Sequence, residues 1–435
     1  MTSDALIKRF SDRYPKAAIH LAVPAAITSL AVVGNPSAAQ AIQFNFTYQP
    51  GTSIEQIAAT ELAGSIWSSY LTNDVVVNLH IGMTDNLSSG RLGGATPGIK
   101  KTNYDKYIEG LRKDGTADTS LMSTSARGSN QYSVITQDGR VKNNYYELNL
   151  TTANNKALGN DISAYDSNLD GFIQLDNSTN WSYGYASIGN SNNQYDFTSV
   201  VLHEIGHTLG FISGVDRLST LDLPTGLDMF RYSEESAANG AIDLRVGETT
   251  YFSTDGGQSA FEVEEGETTK TALFATGENV SLGGDGDQAS HWKGEGSESA
   301  LGIMSARVDT GEVRQISSFD LTAMDYIGWE VDHNAEVDLA SLLSASNQKA
   351  NQVWSSYQQG RPSAIKNRSS DVDKMLETSG IYDLGYGALF QTEANAGNAQ
   401  DVPEPSSIIA LLGIGLLYVG ARGGRGTGNE LKRTF

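Results

Sequence analysis

Asp196-Phe197-Thr198-Ser199-Val200-Val201-Leu202-His203-Glu204-Ile205-Gly206-His207-Thr208-Leu209-Gly210 is the stretch on which the fold turns. It predicts a helix, with Asp196 or Thr198 as its N-cap and Gly210 as its stop. Positions four apart share a helix face, so the imidazoles of His203 and His207 project together within reach of one ion. Val200, Val201, Leu202 and Leu209 imply that the helix is buried, and buried imidazoles need partners. Zinc is the metal this donor pair suits. Glu204 directly follows the first His, where it can lean beside an open metal position and take a proton from water. Two His and a Glu could meet by chance on a surface helix, but the apolar flanks weigh against that.

His203-Glu204-x-x-His207-x-x-Gly210 resembles the opening of the extended motif of the metzincin clan of zinc peptidases. That resemblance implies a zincin-like α+β (mixed α/β) fold with a twisted mixed sheet and an active-site helix. In most of the clan a third His follows three residues after the Gly, and here Ser213 stands at that position. The leishmanolysin-like branch separates the Gly from its third His by an insertion. Ser290-His291-Trp292, then Gly302-Ile303-Met304-Ser305 and a helix over 318–327, is similar to that order. The resemblance implies that His291 is the third ligand and Met304 the turn residue beneath the metal, although an ordinary core Met would also fit the latter. The chain has only six His, and His20, His80 and His333 lie in unsuitable contexts. Asp216, six residues after Gly210, is the rival ligand. The activity implied is zinc-dependent endopeptidase hydrolysis of polypeptide substrates, with Glu204 as general base. The alternative is a non-catalytic envelope or matrix protein that uses the metal as a staple, although a closed structural site has no use for Glu204.

Outward from this centre, 53–71 has apolar spacing close to helical and predicts a surface helix with one buried stripe. Residues 75–81 alternate as a strand, with His80 a surface or satisfied residue. Short strands are expected at 145–150 and 172–175, a helix at 104–112, and a Gly-rich insertion at about 214–290. Ser317-x-x-Asp320 resembles a capping box for the last core helix. The expected domains are a signal peptide over 1–41, a metallopeptidase unit over 42–334, a loosely packed helical or linker region over 335–401 and a sorting tail over 402–435. Asp166, Asn168 and Asp170 with Gly171 carry the early positions of an EF-type calcium loop. Position 12, however, is Asn177 rather than a bidentate Glu, so a plain Asp-Gly turn into a strand is the stronger expectation.

The chain has 435 residues with 51 acidic against 30 basic, a formal charge of -21, which excludes a general grip on nucleic acid phosphates. It has no cysteine, leaving His and carboxylates for metal and catalytic work. Lys8, Arg9, Arg13 and Lys16 precede an apolar run over 17–34 that closes on Ala39-Gln40-Ala41, the pattern of a cleaved export signal. Val402-Pro403-Glu404-Pro405-Ser406, an apolar run over 408–421 and Arg422, Arg425, Lys432 and Arg433 resemble a PEP-CTERM sorting tail. The resemblance implies export machinery and C-terminal sorting machinery as partners, and residence in the bacterial envelope or outside the cell. The apolar run is shorter than the roughly 20 residues of a stable span, which suits a transient transmembrane contact.

Overall fold

The computed structural model describes residues 41–379, apart from 86, 88–89, 117–119, 121, 123–129, 164, 166, 186–192, 218–222, 267 and 295–299, together with 391–392. Strands and helices are interleaved, and the fold class is mixed α+β. Its central sheet runs β1 (Gln43–Tyr48), β2 (Val76–Thr84), β8 (Gly171–Asp176), β3 (Gly93–Pro97). The first two pairs are parallel and β3 lies antiparallel on β8. The sheet is therefore mixed, with β3 as its edge. Shorter strands form separate small sheets. β4 (Ile99–Asn103) pairs antiparallel with β7 (Glu147–Thr151), and β5 (Tyr132–Ile135) with β6 (Val141–Tyr145).

Val77, Leu79 and Ile81 of β2 point into the core at 1% exposure or less, the alternation expected of a strand with one core face. His80, on the opposite face, is covered as well. It bonds Thr47 and stacks on Phe172, so it is a satisfied strand residue.

The helices of the described residues include α1 (Ile54–Tyr70), α2 (Tyr104–Asp114), α3 (Thr152–Ala157), α4 (Phe197–Leu209), α5 (Ser318–Tyr326), α6 (Leu339–Gln358) and α7 (Ser369–Ser379), besides one short turn of helix over Glu234–Ala238. One expectation fails at α1, which is buried on more than a stripe. Trp67 Nε1 donates to the Leu202 carbonyl of α4 at 2.9 Å, while Glu61 pairs with Lys349 of α6 at 2.7 Å and accepts from Tyr48 Oη. The helix is sandwiched, and a polar residue such as Glu61 can face α6 because α6 supplies its partner.

Residues 335–379 pack closely instead of lying loose. α6 covers α1, the 364–366 segment bonds alongside Tyr48 of β1, and Val372 and Met375 of α7 join a small apolar cluster with Tyr165, Leu169 and Phe172. Only two α6 residues, Ser346 and Ala350, are fully buried, so its sequence carries a weak apolar pattern.

α4 is wholly enclosed. Every residue from Phe197 to Leu209 is buried. Asp196 caps it, accepting from Ser199 N at 2.6 Å, and the helix ends at Gly210.

Candidate active site

α4 presents the Nε2 atoms of His203 and His207 2.9 Å apart, and His291 Nε2 lies 3.2 Å from that of His203. The other nitrogen of each ring is committed to a backbone carbonyl. His203 Nδ1 meets Ile303 O at 2.6 Å, His207 Nδ1 meets Phe211 O at 2.6 Å, and His291 Nδ1 meets Gln288 O at 2.9 Å. A carbonyl cannot donate, so each Nδ1 carries the proton and three Nε2 lone pairs converge. Lone pairs this close repel unless a cation lies among them. A tetrahedral zinc with arms of about 2.0–2.1 Å separates its nitrogens by about 3.3 Å, near the observed spacing. Carbonyl acceptors behind ligating imidazoles are also what a metal site needs to fix ring orientation.

Burial favours the neutral, ligating imidazoles. It pulls His203 and His291 well below the ordinary His range and His207 to about 4. Among the described residues, these three form the group of His, Asp or Glu whose donors lie close enough together for one ion.

Glu204 is fully buried on the same helix, and neither of its carboxylate oxygens has a hydrogen-bond partner. Burial raises its carboxyl well above the ordinary range. β3 lies directly over this carboxylate. A Cβ placed on Gly93 would stand 3.1 Å from Glu204 Oε1 and 2.9 Å from Val200 Cγ1, so only glycine lets the edge strand come this close.

Met304 packs beneath the helix. A Cβ at Gly206, between His203 and His207 in sequence, would meet Met304 Sδ at 2.4 Å, and the Met is fully buried. The turn is held by Asp320. Its Oδ1 accepts from Trp292 Nε1 (2.9 Å) and Met304 N (3.1 Å), and its Oδ2 from Ile303 N, Ser317 N and Ser317 Oγ (2.8 Å each). Sequence alone marked Asp320 as a capping residue; its grip on the Met304 turn was not visible there.

Residues 146–219 match the Matrixin family model. The matrixin segment runs from β7 through α4 to the Val215–Arg217 turn, so it holds His203, Glu204 and His207 and ends before His291. It supports a zinc metallopeptidase. A second model, the PEP-CTERM protein-sorting motif, matches residues 401–425 and marks an exported protein sorted to the bacterial cell envelope. No curated protein and no solved structure matches the chain. No helix among the described residues is long and apolar enough to cross a membrane, and the 408–421 run lies outside them.

The other candidates have different surroundings. Ser213, at the third-ligand position of the short motif, donates to Asp228 Oδ1 at 2.7 Å. Asp216 accepts from Glu278 N and Ala289 N and is outside the His group. His333 bonds Asp325 at 2.9 Å. Of the calcium loop, Asp166 lies outside the described residues. Asp170 is buried, its carboxylate taken by Asn78 N, Thr152 Oγ1 and the Lys156 ammonium. An ammonium on that carboxylate competes with a dication, so the calcium expectation has no support here and the turn into β8 stands.

Proposed function

We propose that the chain is a zinc endopeptidase in which His203, His207 and His291 hold the metal, Glu204 is the general base and Met304 forms the floor of the site. The observation that carries this is three converging Nε2 lone pairs, two of them on the helix that also carries a buried carboxylate without a hydrogen-bond partner. Zinc bound there would polarise the scissile carbonyl and acidify a neighbouring water. Glu204 takes the proton of the attacking water and hands it to the leaving amine, so no covalent enzyme intermediate is needed.

β3 supplies the track for the substrate. It is the edge of the sheet, so an extended polypeptide can add alongside it through main-chain hydrogen bonds and pass over Glu204. The stretch between Gly210 and His291, followed by Trp292 and Met304, supports placement in the leishmanolysin-like branch. We assign the peptidase unit to 42–334, with the insertion at about 214–290 and the sorting tail at 402–435.

Casein or gelatin digestion by the purified protein tests the proposal, with Glu204→Ala as control. Loss of the base should lower turnover by about 10²–10⁴-fold while zinc content is kept. Equal digestion by the two proteins would sink the peptidase assignment.

A further inference from the structure

We propose that Asp216 is a positioning residue for the third ligand, its carboxylate holding the backbone at Ala289 so that His291 is already aimed at the metal position in the metal-free protein. The inference rests on His291 being a ligand.

His291 is 84 residues downstream of His207, and a donor at the end of so long an excursion needs anchoring on both sides. On its C-terminal side the anchor is the Met304 turn. Trp292 N donates to Met304 O at 3.0 Å, and the Trp292 indole bonds Asp320. On its N-terminal side the anchor is Ala289. Asp216 Oδ2 accepts from Ala289 N at 2.7 Å, while Arg231 Nη2 donates to Ala289 O. Both polar groups of one peptide unit's residue are thus held by ionised side chains, among the stronger hydrogen bonds a protein makes. Gln288, whose carbonyl orients the His291 ring, is the adjacent residue.

The clamp is itself tied to the end of α4. Arg231 is 1% exposed, bonds Asp228 at 3.2 Å and Thr250 at 2.9 Å, and lies 3.9 Å over the Phe274 ring. Asp228 in turn accepts from Ser213 Oγ and Gly214 N, in the same turn as Asp216. The turn in which a short-motif peptidase carries its third ligand here grips the segment that delivers a distant one. Asp216 Oδ1 also takes Glu278 N at 2.8 Å, fixing a second point of the same segment.

The test is zinc affinity of the full chain, by chelator competition, in wild type, Asp216→Asn and His291→Ala. The amide of Asn cannot accept two N–H donors with both of its atoms. Asp216→Asn should bind zinc about 10- to 100-fold more weakly, as for loss of groups that orient ligands. In the cobalt(II)-loaded form its visible ligand-field spectrum should shift toward that of His291→Ala. A merely structural role would lower the unfolding midpoint of the metal-free protein and leave zinc affinity and spectrum unchanged; that result overturns the proposal. Should Asp216→Asn fail to fold, amide hydrogen exchange in chelator-treated wild type decides instead. Ala289 and Glu278 amides that stay protected without zinc support a clamp that precedes the metal, and amides that exchange as an open loop refute it. If His291→Ala keeps full zinc affinity, the ligand assignment itself fails, an outcome separate from failure of Asp216 alone.

Discussion

Replacing Asp320 by Ala should be among the most damaging single changes outside the His cluster. The carboxylate is fully buried and accepts five hydrogen bonds, three of them from Trp292 Nε1, Ile303 N and Met304 N. Each buried donor left without an acceptor costs about 1–3 kcal/mol. Three of them give about 3–9 kcal/mol, and water entering the vacated volume would recover part, so a loss of about 4 kcal/mol is expected. That is a large share of the 5–15 kcal/mol typical of a domain. The change should also weaken zinc binding, because the Ile303 carbonyl that meets His203 Nδ1 belongs to the same turn. The assay is urea unfolding of chelator-treated protein followed by tryptophan fluorescence, paired with zinc titration. Asp320→Asn, which keeps the volume but turns an acceptor into a donor, should fall between wild type and Asp320→Ala. A loss below about 1 kcal/mol in Asp320→Ala, with unchanged zinc binding, would refute the view that this carboxylate builds the turn.

Gly206→Ala gains about 1 kcal/mol of helix propensity but forces Met304 aside, so a net destabilisation of about 1–2 kcal/mol is expected, largely relieved by a second change, Met304→Ala; a stabilised Gly206→Ala single variant would contradict the packing. His80, buried against Thr47 and Phe172, has its pKa lowered to about 4 chiefly by desolvation. Its neutral form is favoured by folding, so its contribution is complete above the unfolded pKa of about 6.5 and is lost as pH falls through 6.5 toward 4. Between pH 7 and 5 wild type should lose about 2 kcal/mol more than His80→Gln in urea unfolding of the metal-free protein, and parallel pH profiles would rule this out. Intact mass of native material should show the loss of residues 1–41 and, after sorting, of 408–435; recovery of the full chain would contradict both cleavages.

The parts of the molecule legible in the sequence are those whose physics is local. α4 announces itself through its cap, its apolar run and the four-residue spacing of His203 and His207, all within fifteen residues. The β2 core face follows from alternation alone, and α5 from the Ser317 and Asp320 capping pair. What was not legible depends on partners distant in sequence. α1 carries an apolar stripe that reads as a surface helix, and only the arrival of α6, nearly 280 residues later, explains why Glu61 is buried. α6 hides for the complementary reason, since a helix that covers another with two fully buried residues looks like a linker.

The same distinction separates the two halves of the candidate site. His203, Glu204 and His207 take their geometry from one helical turn, whereas His291 is placed by backbone groups that Asp216, Arg231 and Asp320 hold, side chains none of which is its neighbour in sequence. Arg231 left the clearest trace, a basic residue inside the run Leu227–Tyr232, where a charge can be buried only if carboxylates and carbonyls are waiting for it. Asp228 supplies that carboxylate and Ala289 that carbonyl, so the cost of burying the charge is offset by fixing the segment that ends in His291. Asp216 left an ambiguous trace: a carboxylate close after Gly210 resembles a ligand, whereas its two oxygens accept from Glu278 N and Ala289 N and lie outside the His group. Distance in sequence thus converts the question of which residue binds the metal into the question of which residues hold the chain around it. That question is answered by hydrogen-bond donors and acceptors, whose pairing the linear order does not encode.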